Sequence, residues 1–477
     1  MRKVYEMAVR GLPSGGAFWY ALRPMSGTTD IETDSWWRLQ GRMLRFFIPL
    51  AVQSASQSLS FLLVASIVAH GALREQELAA FSQGQSVIWI LGSIGGGLIT
   101  TCMVFARSRT GMANFNRLNL RLMAIALVLE LLCCVPPLDG IVFRGLLGLT
   151  GQREWIARRT LLFSIPMQAT FFLRNPYLAR LLIEKRSGAA NLATLARVAL
   201  ALTLAPAMIR TGLTGHAWGA LAITLPVMLE TWLTRRFALP GMRALEDGPG
   251  AETASVGEQL RFTIPLSFGG FMISGTMLGT AFFLGHATDA ASALPVHYVV
   301  TGLVNPVSFA ALRMQSVTIA FPPEESGRAP GAFAATVGAL LCGLLLAPQI
   351  PAFARLYFTG VQNLPPDLVS LARGAMLIAA PIPLLQALKG HGEGLAALRR
   401  RPNAILADQM AYAAVYVSTI AVVTRSGLLP GAMTGILGIA LGIAVSLVAL
   451  RIALIANDYE RHLGNGQFGT GALRARR

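Results

Sequence analysis

A stretch of seven residues occurs twice in this chain and divides it into two halves. Residues 44–50 read LRFFIPL and residues 260–266 read LRFTIPL, so six of the seven are identical at a separation of 216 positions. The same separation relates His70 to His286, and the basic stretch 184–186 to 400–402. Solenoid repeats are only about 20–50 residues long. We therefore interpret this repeat as the duplication of a half.

Each half consists mostly of apolar runs long enough for an α-helix to cross a bilayer, which takes about 20 residues. Hydrophobic residues make up 54% of the chain and charged residues 13%, with a mean hydropathy of +0.56. This composition is typical of a multispan membrane protein. The runs do not alternate polar and apolar residues, which argues against a β-barrel. The apolar patch at 17–22 is too short for a cleavable signal.

We predict twelve spans, six in each half. In the first half they lie at about 44–69, 79–106, 118–137, 156–183, 189–209 and 214–234. In the second half they lie at about 260–286, 293–320, 331–349, 369–396, 403–424 and 429–455. An even number of spans per half gives both halves the same orientation. The predicted fold class is an all-α polytopic membrane protein with two six-helix, pseudo-symmetric bundles.

Polar segments flank and separate these bundles. We predict an N-terminal tail, a first lobe, a linker, a second lobe and a C-terminal tail, at 1–43, 44–237, 238–258, 259–456 and 457–477. With the N-terminus inside, 24 of the 40 Lys and Arg residues lie in inner segments and eight in outer ones. The positive-inside rule thus predicts two cytoplasmic termini. We expect a cell membrane, the inner membrane in a bacterium.

The basic charge predicts lipid as a partner and gives no reason to expect nucleic acid. The formal net charge of +17 follows largely from the inner segments, where anionic headgroups attract basic residues. The four cysteines show no CxxC spacing and the six histidines no cluster with carboxylates, so we predict no metal and no cofactor. There is no Walker loop, GxSxG or HExxH motif, which argues against an ATP-driven pump or a hydrolase. We expect a monomer.

Eight Lys or Arg residues fall within the predicted spans. Five lie near span ends, where a long side chain reaches the interface: Arg121, Arg180, Arg197, Arg373 and Arg451. The other three, Arg174, Arg313 and Lys389, lie roughly 12–15 Å from the inner end, near the middle of a ~30 Å core. A cation at that depth must face a water-filled cavity or a partner. These three therefore predict a substrate site for a multivalent anion.

Each of these cations has an alternative explanation. Embedded acids are few, namely Glu130, Glu230, Glu393 and Asp408. Lys389 and Glu393 are spaced i,i+4 and could pair on one helix face. Arg174 could point at helix-end carbonyls near Pro176. Arg313 has no acid within one helical turn.

Helix-breaking residues accompany these cations. Discontinuous spans at matching places in two halves are a pointer to a transport site. The candidate substrate-binding residues are Arg174, Asn305, Arg313, Lys389, His391 and Glu393. Pro49 and Pro265, at equivalent places near the inner ends of the opening spans, are candidate gating residues. The glycine-rich stretch 92–97 favours close helix packing over a cavity wall.

Several of these segments resemble a known family. They are residues 44–50, residues 302–321 with Pro306 and Arg313, and residues 381–383 with the basic turn 399–401. With the twelve-span duplicated plan, they resemble the multidrug/oligosaccharidyl-lipid/polysaccharide exporter superfamily, or MATE-like fold, and within it the progressive ankylosis (ANKH) family. The chain departs from that family at the second span, where residues 95–97 are glycines rather than polar residues.

The resemblance implies alternating access and export of a small polyanion such as pyrophosphate, citrate or a phosphate-containing metabolite, with H+ or Na+ as a coupling ion. One alternative is a flippase for a lipid-linked pyrophosphoryl oligosaccharide. Another is a cation-coupled drug exporter, although residues 44–69 and 260–286 contain no Asp or Glu. From a different class, the chain could be a membrane-embedded enzyme or a scaffold. The absence of paired catalytic groups argues against an enzyme.

Overall fold

The structure is a computed structural model that describes residues 30–73, 75–247, 253–285, 289–362 and 364–464. His286 and most of both predicted tails lie outside these residues. Every long regular element in the described part of the chain is helical. Seven helical segments there are long and apolar enough to cross a membrane. Together with the shape of the fold, they indicate a multi-pass membrane protein.

The first half contributes six long helical segments. Their bounds are α1 Asp30–Ala69, α2 Glu75–Gly92 continued by α3 Leu98–Phe105, α4 Arg109–Leu132, α5 Gln152–Ile183, α6 Ser187–Arg210 and α7 His216–Arg243. Helix α1 begins at Asp30, well before the predicted span start at 44, since a helix can continue beyond the bilayer. Helix α4 ends at Leu132, five residues before the predicted boundary at 137.

The second half repeats this plan. Its long segments are α8 Val256–Gly285, α9 Ala290–Leu312 continued by α10 Met314–Ala320, α12 Ala329–Leu345, α14 Val369–Ala379 continued by α15 Ile382–Leu398, α16 Pro402–Ser426 and α17 Gly431–Gly464. The short helices α11 Pro323–Ser326 and α13 Pro351–Ala354 lie between them. The twelve predicted spans therefore correspond to twelve helical segments within the described residues.

Three of these segments are interrupted along their length. A 3₁₀ turn at Ser93–Gly95, followed by Gly96 and Gly97, separates α2 from α3. Arg313 separates α9 from α10, and Ala380 with Pro381 separates α14 from α15. Pro381 lacks an amide hydrogen and cannot continue the hydrogen-bond ladder. Pro49 and Pro265, in contrast, lie inside the continuous helices α1 and α8.

The packing repeats about a pseudo-two-fold axis. Helix α1 packs on α6 as α8 packs on α16, and α4 packs on α5 as α12 packs on α15. Between the halves, α1 packs on α9, and α8 packs on α2 and the turn that follows it. The second of these contacts depends on Gly97, where an added Cβ would lie 2.6 Å from the Cβ of Leu266. The glycine-rich stretch thus serves close packing between the halves.

Among the residues whose burial the structure describes, one large apolar cluster joins the two halves, and it lies at one end. The largest buried cluster includes Phe46 and Phe105 of the first half, and Phe262 and Phe321 of the second. This end carries residues 36–50 of α1 and the beginning of α8, and we predict that it faces the cytoplasm. At the other end each half has its own cluster, one around Phe143 and one around Phe358. The halves are therefore joined at the predicted inner end.

Candidate functional site between the two halves

A buried ion-paired cluster lies within the first half. Arg174 of α5 and Arg197 of α6 both donate to Oε2 of Glu230 on α7, at 2.7 and 2.9 Å. Thr194 donates to the other carboxylate oxygen at 2.5 Å, and Gln53 of α1 donates to Thr194 at 2.8 Å. All three charged side chains are buried. Two guanidinium groups and one carboxylate leave this cluster with a net charge of +1.

A second buried cluster lies within the second half. The Lys389 ammonium on α15 is 3.3 Å from Glu393, one turn along the same helix, and 2.9 Å from Asp408 on α16. Gln409 donates to Glu393 at 3.1 Å. The i,i+4 pairing foreseen for Lys389 and Glu393 is confirmed, and Asp408 adds a second acid. With both carboxylates ionised, this cluster has a net charge of −1.

The two clusters occupy equivalent places in the duplicated fold. Arg174 and Lys389 are 215 positions apart, as are Thr194 and Gln409, and Arg197 and Tyr412. The separation is one residue shorter than in the repeat that opens each half. Equivalent places thus hold two cations with one acid in the first half and one cation with two acids in the second. The centroid of the Tyr412 ring lies 5.7 Å from the Lys389 ammonium, and Tyr412 takes the place that Arg197 has in the first half.

Arg313 differs from the other two cations because it reaches across the halves. It stands at the interruption between α9 and α10, and its Nε donates to the Ser54 hydroxyl of α1 at 2.5 Å. Arg313 is partly exposed, and no carboxylate pairs with it among the described residues. Its guanidinium lies close enough to Arg174 and Glu230 to experience their charges.

Glycines on α15 hold the interrupted helix in place. An added Cβ at Gly390 would lie 3.3 Å from the Leu312 carbonyl oxygen and from the Gln315 amide nitrogen. At Gly394 it would lie 2.6 Å from the Cβ of Thr318. Helix α10 therefore packs directly on the backbone of α15. A side chain at Gly394 would force α10, which follows Arg313, away from α15.

The remaining candidate residues take different places. His391 is buried on α15, with Nδ1 2.9 Å from the Thr318 hydroxyl. Asn305 is half-buried on α9, two turns before Arg313. Pro265 is buried and Pro49 half-buried, both near the inner end. No group of three or more His, Cys, Asp or Glu side chains in the described part of the chain could hold a metal ion.

The structure corrects the expectation that Arg174, Arg313 and Lys389 line one cavity as three open cations. Arg174 and Lys389 are each buried against acids of their own half, so Arg313 alone keeps partial exposure between the halves. The helix-end alternative for Arg174 is also wrong, because its partner is Glu230. Arg197 does not reach an interface as expected; only 3% of its surface is exposed. The sequence shows these acids, but it does not show which cations on other helices they pair with.

The fold is similar to those of solved transporters of the MATE and MOP groups. A MOP superfamily transporter from Pyrococcus furiosus, whose binding pocket is described as having a reverse polarity that suggests a different function, aligns with 88% of this chain and 96% of its own length. The TM-score is 0.67 at 15% identity. The eukaryotic MATE transporter AtDTX14 aligns with 90% of this chain and 98% of its own, with a TM-score of 0.67 at 14% identity.

An outward-facing multidrug resistance MATE family transporter aligns with 89% of this chain and 96% of its own length, with a TM-score of 0.63 at 15% identity. No protein-family model and no curated protein sequence matches the chain. These likenesses establish the MATE-like fold. They give no support to the progressive ankylosis family in particular.

Proposed function

We propose that this chain is an alternating-access membrane transporter that exports a small polyanion, such as pyrophosphate, citrate or a phosphate-containing metabolite. The MATE-like fold supports a transport role. So does the arrangement of the halves, which share a core at one end and, among the residues whose burial is described, have separate cores at the other.

The observation that carries the anion proposal is the environment of Arg313. Its one hydrogen bond between the halves goes to a neutral hydroxyl, so its charge is not neutralised there. A cation deep in a membrane protein needs a counter-charge or water. A guanidinium can donate two parallel hydrogen bonds to a carboxylate or phosphate. The net positive charge of the nearby Arg174 cluster also favours an anionic ligand.

A cation-coupled drug exporter is the second candidate, favoured by one observation. The Lys389 cluster holds two carboxylates for one ammonium, and an extra monovalent cation would balance it. H+ or Na+ coupling belongs to either candidate. The lipid-linked oligosaccharide flippase shares the need for a cationic cavity, because its cargo carries pyrophosphate. We propose membrane lipids as the other partners and a monomer as the functional unit.

The test is an anion screen on the purified protein. Unfolding temperature is measured with pyrophosphate, citrate, a nucleotide and a lipid-linked pyrophosphate, and the best ligand is carried into calorimetry. Arg313→Gln should weaken binding by about 1.5–3 kcal/mol, or roughly 10–150-fold. Arg121→Gln, which removes an exposed cation of α4, is the control. Equal affinity in wild type and Arg313→Gln rejects the anion site, and a response only to the lipid-linked ligand supports the flippase.

A further inference from the structure

Four phenylalanines at the inner end form two equivalent pairs between the halves. The rings of Phe46 and Phe321 meet edge to face with centroids 5.7 Å apart, and those of Phe105 and Phe262 meet likewise at 5.1 Å. Phe46 and Phe262 are 216 positions apart, and so are Phe105 and Phe321. The duplication has therefore preserved one contact twice, with the contributing halves exchanged.

A cation covers one ring of each pair. The Lys185 ammonium lies 4.5 Å from the centroid of Phe321, and the Arg400 guanidinium carbon lies 4.8 Å from that of Phe105. These cations are equivalent in the fold, because each follows the end of its helix, α5 or α15. They also share a left-handed backbone, with φ of 57° at Lys185 and 54° at Arg400. No other non-glycine residue in the described ranges has a positive φ.

Every one of these contacts joins one half to the other. In the first triad, Phe46 and Lys185 belong to the first half and Phe321 to the second. In the second triad, Phe262 and Arg400 belong to the second half and Phe105 to the first. Lys185 also lies 3.8 Å from Glu325, which follows Phe321 in the second half. Both triads must separate if the halves part at this end.

We propose that the two triads are matched latches that hold the predicted cytoplasmic end closed, and that both release when this end opens. This inference rests on the alternating-access part of the proposed function. An edge-to-face aromatic pair and a partly solvated cation–π contact are each weak individually. The four rings are themselves buried in the cluster that joins the halves, so both triads separate when that cluster parts. Because two equivalent latches span one interface, release of one removes support from the other.

The latch can be tested by measuring the distance between two labels at the inner end. Gly188 and Asn403 are equivalent exposed residues in the first turns of α6 and α16, and a side chain at Gly188 would enter open space. We would replace the four native cysteines, introduce Gly188→Cys and Asn403→Cys in the full-length chain, attach spin labels and record distance distributions in lipid nanodiscs. This distance measurement needs neither a substrate nor a transport assay.

Three double variants are compared with the labelled parent. Phe46→Leu with Phe262→Leu removes both ring pairs, and Lys185→Gly with Arg400→Gly removes both cations while glycine keeps the left-handed backbone. Phe143→Leu with Phe358→Leu is the control, because these two equivalent rings are buried within single halves at the other end. Each latch variant should favour the longer distance, with the ratio of closed to open molecules falling about tenfold per disrupted latch.

Unchanged distributions in both latch variants would overturn the latch. A shift in the control as large as in the latch variants would also overturn it, since any loss of packing would then suffice. A shift in the aromatic variant alone would remove the cations from the latch. A latch variant that opens in a protein that binds no anion supports the latch and rejects the anion substrate. Anion binding together with unchanged distances in both latch variants rejects the latch and supports the anion substrate.

Discussion

Arg313 Nε donates to the Ser54 hydroxyl at 2.5 Å, which ties the interruption of one half to the first helix of the other. Ser54 in turn donates to the Leu50 carbonyl oxygen of its own helix, at 3.0 Å. The hydroxyl hydrogen is thus already committed, and its oxygen accepts from the guanidinium. Ser54 therefore orients Arg313 without neutralising it, so the outer nitrogens of the guanidinium can meet a ligand.

Replacing Ser54 by Ala should weaken anion binding through Arg313. The hydrogen bond that orients the guanidinium would be lost, which we expect to cost about 1 kcal/mol, or roughly fivefold in affinity. Calorimetry with the best anion from the screen measures this. Thr203→Ala is a matched control, because that exposed hydroxyl bonds only to its own helix. Wild-type affinity in Ser54→Ala would show that Arg313 needs no orientation from α1.

Lys389→Ala should lower stability rather than anion affinity. Removal of the ammonium leaves Glu393 and Asp408 buried together without a counter-charge, a change worth about 3–5 kcal/mol of unfolding free energy. Adding Asp408→Asn should recover part of the loss. Unfolding monitored by tryptophan fluorescence in detergent measures both variants. A stable Lys389→Ala protein with weakened anion binding would instead place Lys389 in the substrate site.

Glu230 is expected to stabilise the first-half cluster, because both arginines donate to its carboxylate. Glu230→Gln leaves Arg174 and Arg197 facing each other without a carboxylate, so we expect about 3–5 kcal/mol of destabilisation. The second change Arg197→Leu removes one of the two repelling charges and should restore stability in part. The unfolding midpoints of the single and double variants measure how much stability is recovered. If Arg197→Leu only adds to the loss, the two arginines do not act through Glu230.

Replacing Pro49 or Pro265 by Ala should change transport rate more than folding. Both prolines lie inside continuous helices next to the shared inner core, where each removes a backbone hydrogen bond. Alanine would restore that bond and stiffen the helix. Transport in proteoliposomes is compared with yield and unfolding temperature for each variant. Wild-type rates in both variants would make these prolines packing features only.

Both termini should be cytoplasmic. The excess of Lys and Arg in alternate segments motivates this orientation. Cysteine tags at residues 5 and 472, in a chain whose native cysteines are replaced, should be labelled by an impermeant maleimide only after the cells are opened. Labelling of either tag in intact cells would contradict the predicted orientation.

The sequence alone predicted most of the architecture. Apolar length and the repeated opening segment led to twelve helices in two equivalent halves, because bilayer thickness and backbone hydrogen bonding leave few alternatives. The pairing of Lys389 with Glu393 was also readable, since i,i+4 spacing lies within one helix. Helix ends were predicted less well. Helix α1 begins at Asp30, before the apolar run starts, so hydropathy could not locate its first residue.

The first-half cluster and the contact of Asp408 with Lys389 could not be predicted, because they join residues of different helices. Arg174, Arg197 and Glu230 lie on three helices, and only the tertiary packing brings them together. Depth in the membrane marked Arg174 as unusual but could not tell a paired cation from an open one. Arg313 was distinguished in the sequence by the absence of a nearby acid. In the described structure it is also the cation of the three without a carboxylate partner.

At Lys185 and Arg400, the substitution that relieves the left-handed backbone also removes the cation of the proposed latch. A residue other than glycine in this conformation costs about 1 kcal/mol or more, so glycine at either position should make the folded protein more stable. A search for thermostable variants would therefore select the two substitutions that remove the cations from the Phe321 and Phe105 rings. Such a protein would be easier to purify while populating its closed form less. Stabilised variants used to study this chain should therefore retain both cations.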